Sequence, residues 1–387
     1  MNAHPAGCYK DVEDQIAYVK SKGTYKGPAR VLVVGASTGF GLASRISLAF
    51  GAGAGTIGVS FEKEASATKP GTMGWYNVAS FQDIARKQGL IADDLNGDAF
   101  SHDIKNQAIE KIQRLFGQVD LVVYSLASPA RTNPDNPEQQ FRSVLKPLGA
   151  SYTAKSLNPA SGEIKDFTIE PANDDEVAQT IKVMGGEDWL LWTQTLLKAG
   201  VLAKGAVTVA YSYIGPEVTS AVYRNGTIGK AKEHLEASAA DATKLLSGIG
   251  GKAYVSVNKA LVTRASAVIP VVPLYMTMLF KIMKQNGTHE GCIEQMQRLY
   301  GVKMYGEGRN GLQSVPCDHD GRIRMDDWEM DEKVQAQIAK LWPTITQENV
   351  AQFADIDEYN VNFLRLHGFG HPAVDYEADI STLYPIA

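Results

Sequence analysis

Residues 31–45, VLVVGASTGFGLASR, run from four apolar residues straight into Gly35, Gly39 and Gly41, and few folds accommodate that combination. A continuous β-branched and leucine run suits a parallel strand buried on both faces. The glycines let the backbone turn tightly and approach a ligand with no Cβ in the way. A helix starting near Gly41 aims unpaired amides and its positive dipole end at that turn, which makes an anion seat. The spacing is Gly-x3-Gly-x-Gly, not the Gly-x-Gly-x2-Gly of the commonest fingerprint, and a chain with 36 glycines produces triplets by chance. The strand before and the helix after select a dinucleotide pyrophosphate site over a purely structural turn.

The expected fold class is therefore α/β, a Rossmann-type doubly wound parallel sheet with insertions and an appended helical C-terminal region. A second strand, Thr56 to Phe61, ends at Glu62, 21 residues after Gly41. An acidic residue there accepts hydrogen bonds from the adenosine ribose hydroxyls and repels a 2′-phosphate, so NADH is expected over NADPH. The bland alternative makes Glu62 the start of a solvated loop with Lys63 and Glu64. A loop-rich insertion, KPGTMGWYN, then precedes a helix-like stretch from Val78 to Gly89. NGDAF (96–100) ends a third strand, with Asp98 and Ala99 where the adenine ring would lie. Ile104, Ala108, Ile112 and Leu115 form a helix stripe, and DLVVY (120–124) is a fourth strand whose end, Ser125 to Ala127, faces the cofactor. Residues 129–186 carry little periodicity and read as an excursion over the sheet edge; AVTVAYSY (206–213) and YVSV (254–257) complete the strands. One large domain over 1–387 is expected, with a dinucleotide-binding core at about 28–272, insertions at 63–95 and 129–186, and an appended region at 273–387.

A net charge of −5 with 21% charged residues argues against a nucleic-acid partner. The oiliest stretch, Ala267 to Met283, is short for a membrane span and carries Pro270 and Pro273, so it reads as a buried helix or pocket wall. Cys8, Cys292 and Cys317 are scattered, which suggests neither disulfides nor a Cys-x2-Cys metal site, and the start MNAHPAGCYKDVED lacks signal-peptide character. A cytoplasmic location fits. Asp318 and Asp320 alternate like a calcium loop, but Arg322 stands where an oxygen donor belongs. His289-Glu290 has no second histidine four residues on, so no metal is expected.

A reductase using NADH must stabilise the negative charge that appears on a substrate oxygen. A tyrosine hydroxyl, protonated at neutral pH with a reference pKa of about 10, donates that hydrogen bond, and a nearby lysine orients the ribose. Tyr18 and Lys22 have the Tyr-x3-Lys spacing but precede the glycine turn, in the wrong chain order. Tyr223 stands before an Asn225-Gly226 turn, after which Thr227 is placed to cap a helix running toward Leu246. Lys230 and Lys232 both follow. The stripe Ile228, Ala231, Leu235, Ala239, Ala242 and Leu246 puts Lys232 about 40° and Lys230 about 160° from its centre, so Lys232 borders the buried face. The alternative for Lys232 is a snorkelling surface residue.

GASTGFGLASR, FEK, NGDAF, VYSLASP, VMGGEDW, YSYIGPE with Tyr223-x8-Lys232, LVTRASAVIPVVPLY and GTHEGCIEQM, in that order along nearly the whole chain, resemble the FabV-type enoyl reductases. Within them the chain is most similar to the NADH-dependent trans-2-enoyl-CoA reductases. The resemblance implies that Gly35, Ala36, Ser37, Thr38, Gly39 and Phe40 bind the pyrophosphate side of NADH, Phe61 and Glu62 the ribose, and Asp98 and Ala99 the adenine. Leu126 and Ala127 would lie on the nicotinamide side, with Leu261, Val262 and Thr263 as the far wall. Tyr223 would be the proton donor, Lys232 a cofactor contact and Tyr213 a substrate contact; from the residues alone, Tyr213 reads equally as an aromatic closing a core strand. The implied reaction is reduction of the C2–C3 double bond of a short trans-2-enoyl-CoA in fatty acid metabolism, by a monomer. Acyl carrier protein as the carrier is the alternative, and a non-catalytic NADH-binding module a remote one. The departure is at the front, where relatives usually carry a short basic strand before the HPxGC segment; here Met1 nearly abuts His4, so the expectation is either a truncated chain or a misassigned start, with some loss of an edge strand or pocket wall.

Overall fold

Four consecutive buried residues in one strand are explained by two cores, one on each face of a sheet. In the computed structural model, which describes residues 3–266, 269 and 271–385, Val31 and Val33 point into one apolar cluster while Leu32 and Val34 point into another. The same alternation recurs in Leu121 and Val123 against Val122 and Tyr124.

The strands are β1 (Arg30–Val34), β2 (Gly55–Ser60), β3 (Ala92–Asn96), β4 (Val119–Tyr124), β5 (Ala130–Asn133), β6 (Asn136–Arg142), β7 (Tyr152–Asn158), β8 (Glu163–Ile169), β9 (Leu202–Ser212), β10 (Lys252–Val257) and β11 (Ile323–Arg324). Seven of them form a sheet in the order β11-β10-β9-β4-β1-β2-β3, paired in parallel throughout. From β1 the chain winds outward through β2 and β3, then returns to β4 and winds the other way. The crevice at that reversal, outside the carboxyl ends of β1 and β4, is where such sheets bind ligands.

Three expectations are corrected. The helix read from Val78 begins at Met73, so MGWYN is helical, and 63–95 contributes the Met73–Lys87 helix and the edge strand β3 to the sheet layers. The sequence marks only the end of that strand, at NGDAF, because Asp93 and Asp94 interrupt its apolar run. Asp94 is matched by Arg45, which is fully buried, donates to it through Nη2 at 2.9 Å and to Thr56 Oγ1 at 3.0 Å, and lies 4.3 Å from the Phe81 ring centre. The 129–186 excursion holds the antiparallel hairpins β5/β6 and β7/β8 and the Asp174–Met184 helix. Thr227 is not the cap of its helix. Gly226 is, and the Thr227 hydroxyl is tied to the excursion instead, donating to Val144 O and accepting from Lys146 N–H.

The region after residue 272 packs on the Val272–Gln285 helix, whose start carries Pro273 where a missing N–H costs nothing. Ala267, Val268 and Pro270 of the stretch read as helix or pocket wall lie outside the described residues; Val272 to Met283 of it belong to the buried helix. This region also supplies β11, too short to leave a periodic signal, and His367 O accepts from His4 N–H at the opposite end of the chain. Replacing Arg45 with methionine leaves Asp94 without its main partner in a low-dielectric interior. Denaturant unfolding is expected to show a loss of about 3–5 kcal/mol, and a loss near zero would refute the coupling of Arg45 to β3.

Candidate active site

Because every strand of the large sheet runs the same way, the segments that follow them converge on one edge. Gly35–Phe40 follows β1, Phe61 and Glu62 follow β2, Asp98 and Ala99 follow β3, Leu126 and Ala127 follow β4, Tyr213 follows β9, and Leu261–Thr263 follows β10.

The turn after β1 depends on two glycines. Gly35 has φ 87°, and a Cβ there would lie 2.3 Å from Ser125 O; a Cβ on Gly41 would lie 1.8 Å from Gly35 O. No larger residue fits either place. The helix Gly39–Ala52 starts at Thr38 with no side-chain cap and no acidic residue in its first turn, so its first amides stay available to an anion. These residues fit a dinucleotide pyrophosphate.

Glu62 is not the solvated residue of the bland reading. Its carboxylate, 6% exposed, accepts from Ser37 Oγ at 2.7 Å and Thr72 Oγ1 at 2.6 Å, with the exposed Arg264 guanidinium 3.5 Å from both oxygens. Neither Thr72 nor Arg264 was flagged by motif or spacing. Phe61 beside it is 76% exposed, a free aromatic face at the edge. Asp98 accepts the Phe100 N–H through Oδ1, and Ala99 is buried with its carbonyl taken by Lys105 and Trp192. Leu126 lies against the Gly35 turn, and Thr263 against Gly39. Ser266 Oγ, donating to Leu261 O and accepting from Thr263 N–H, staples the 261–263 wall.

Tyr223 and Tyr213 pack edge to face, ring centres 4.7 Å apart. The Tyr223 hydroxyl has no hydrogen-bond partner among the described residues, and burial, then the Glu329 charge, raise its pKa well above the ordinary tyrosine value. It keeps its proton. Lys232 is 8% exposed and donates to Tyr211 O at 3.1 Å; burial pushes its pKa down to about 8 against the opposing pull of Glu236. Lys230 faces solvent and pairs with Glu233 at 2.9 Å, as the helical stripe requires. Sequence reasoning missed Glu329, Lys259 and Tyr275. Glu329 sits in the run MDDWEM, where nothing in the sequence separates it from the exposed Asp327, yet it is fully buried, as is Asp326.

Comparison with known proteins gives the family. The family described as the trans-2-enoyl-CoA reductase catalytic region matches residues 69–305, and the NAD(P)H binding domain of trans-2-enoyl-CoA reductase matches 1–67. An enoyl-[acyl-carrier-protein] reductase [NADH] of Cytophaga hutchinsonii is 56% identical over 98% of this chain and 95% of its own. A trans-2-enoyl-CoA reductase [NADH] of Treponema denticola is 53% identical over 98% and 96%. The crystal structure of a Treponema denticola trans-2-enoyl-CoA reductase in complex with NAD superposes with TM-score 0.93 over 98% of this chain and 95% of that one, at 52% identity. The Clostridium acetobutulicum trans-2-enoyl-CoA reductase in complex with NADH gives 0.94 at 43% identity, over 98% and 95%.

A third family, the enoyl reductase FAD binding domain, matches residues 317–380. The residues there do not fit a flavin dinucleotide. The helices Glu332–Leu341 and Ile356–Leu366 begin at Asp331 and Asp355, whose carboxylates cap the first amides and would repel a pyrophosphate, and their apolar faces are buried against the Val272–Gln285 helix. With the catalytic-region family covering more than half of its length and relatives above 50% identical spanning nearly all of it, this chain belongs to the trans-2-enoyl-CoA reductase family.

Proposed function

We propose that this protein reduces the C2–C3 double bond of a short trans-2-enoyl-CoA with NADH, and that Tyr223 and Lys232 do the work at the reacting end. NADH, when bound, supplies the hydride that goes to C3. Tyr223 donates a hydrogen bond to the thioester carbonyl and stabilises the enolate oxygen until C2 takes a proton. The observation that carries the reading is the Tyr223 hydroxyl: protonated, without a protein partner among the described residues, and on the same segment as the buried ammonium of Lys232.

Lys232 keeps two of its three N–H donors after bonding Tyr211 O, and these serve the cofactor ribose. Gly35 to Phe40 hold the pyrophosphate, and Glu62, already oriented by Ser37 and Thr72, takes the ribose hydroxyls and disfavours a 2′-phosphate. Phe61, Asp98 and Ala99 line the adenine end; Leu126, Ala127 and Leu261–Thr263 enclose the nicotinamide. Tyr213 contacts substrate. The protein works as one domain, as a monomer in the cytoplasm. One apolar cluster runs from Val12 to Met325, the three cysteines are unpaired, and no helix among the described residues is long and apolar enough to cross a membrane.

Acyl carrier protein as the carrier is a second reading, favoured by the 56% identity to the Cytophaga hutchinsonii enzyme. Kinetics with crotonyl-CoA and crotonyl-carrier protein side by side are expected to give the higher kcat/KM with coenzyme A; the reverse order would replace the first reading with the second.

Tyr223→Phe is expected to lower kcat by about a hundredfold to a thousandfold with little change in NADH affinity, measured by steady-state kinetics and cofactor titration. Unaltered turnover would remove Tyr223 from the mechanism. Lys232→Ala is expected to raise KM for NADH roughly tenfold to a hundredfold, the value of a hydrogen bond to a charged group, while Lys230→Ala changes neither parameter. Lys232 is charged below its pKa and neutral above, so KM for NADH should climb as pH rises through about 8. Lys259 titrates in the same range. In Lys232→Arg, which stays charged, the climb should vanish; its persistence would assign it to Lys259.

A further inference from the structure

Glu329 has no exposed surface and stands behind the two tyrosines. Its Oε1 accepts from the Tyr213 hydroxyl at 3.0 Å and the Tyr275 hydroxyl at 2.7 Å, and its Oε2 accepts from the backbone N–H of Ala260 at 2.7 Å. Gln335 Nε2 donates to the Glu329 carbonyl and to the Tyr275 oxygen, fixing the group from the far side. The buried Lys259 ammonium, whose carbonyl partners are Ala260 and Glu290, is an opposite charge acting on it. Burial raises the Glu329 pKa, and Lys259, Tyr275 and the Ala260 amide pull it back. Three donors converging on two oxygens beside a cation suit a carboxylate, which only accepts.

A phenol has one hydrogen to give. Tyr213 directs its hydrogen at Glu329, so it turns only lone pairs toward the substrate side. Tyr223, packed against the Tyr213 ring, keeps its own hydrogen free. We propose that Glu329 is a positioning residue that makes Tyr213 an acceptor and so leaves Tyr223 as the single phenolic donor to the thioester carbonyl. Through the Ala260 amide it also anchors the start of the 261–263 wall. The inference rests on the enoyl-reductase reading of Tyr223 and Tyr213.

Glutamine at 329 keeps the size but brings an NH2 group that faces a donor whichever way it turns. Glu329→Gln is expected to lower kcat about tenfold, the scale of one charge-assisted hydrogen bond, with NADH affinity changed less than about twofold. The decisive measurement is a double-mutant cycle with Tyr213→Phe. If Glu329 acts through the Tyr213 hydroxyl, the double variant loses no more turnover than Tyr213→Phe alone. Multiplying losses, or NADH affinity falling in step with kcat, would make Glu329 a merely structural carboxylate and overturn the proposal. Should Glu329→Gln not fold, Tyr275→Phe strips one phenol from the same oxygen, and the same cycle with Tyr213→Phe is read by the same criterion. A normal kcat in Tyr223→Phe would defeat the underlying reading instead, whereas a lost kcat there with independent Glu329 and Tyr213 effects would defeat this inference alone.

Discussion

Parallel pairing through the whole large sheet is the constraint on which the rest depends. It forces each strand to end on the same edge, and it forces helices onto both faces, because every crossover must return the chain to the edge where strands begin. Residues more than 200 positions apart, such as Gly39 and Thr263, meet there only for that reason. The contact between Gly41 and Gly35 then sets how closely the first helix approaches the turn, and with it the position of the free amides.

A single physical theme runs through the cluster around Tyr223, Lys232 and Glu329, which is the removal of charged and polar groups from water. Burial raises the phenol pKa of Tyr223 and lowers that of Lys232, so the tyrosine holds its proton firmly while the lysine lies close to its titration point. The same low dielectric makes an unmatched carboxylate costly, and Glu329 is correspondingly surrounded by donors. Glu62, after β2, is handled differently. It is held by the neutral hydroxyls of Ser37 and Thr72 and by the exposed guanidinium of Arg264 at 3.5 Å.

Much of this was legible beforehand. The glycine turn, Glu62 and the split between Lys230 and Lys232 follow from local geometry, since a strand of period two and a helix of 3.6 residues per turn dictate which side chains face inward. The edge strand β3 was legible only at its end, NGDAF, because Asp93 and Asp94 contradict the expected apolar run, and only the buried Arg45, distant in sequence, makes Asp94 acceptable there. The excursion at 129–186 escaped because hairpins with exposed faces carry weak alternation; β6 is almost wholly exposed. Thr227 misled for another reason, since its hydroxyl serves a neighbouring segment rather than its own helix.

The amino-acid order alone determined the doubly wound class, the glycine turn and which of Lys230 and Lys232 faces inward, because each is written in a local period or turn. The tertiary structure decided what surrounds them. The buried carboxylate of Glu329, the phenol of Tyr275 and the ammonium of Lys259 come from three separate elements and meet only after packing. No local period records such a meeting, because a carboxylate in an acidic run and one sealed beneath two tyrosines are spelled alike; burial, which is a property of the whole fold, is what separates them.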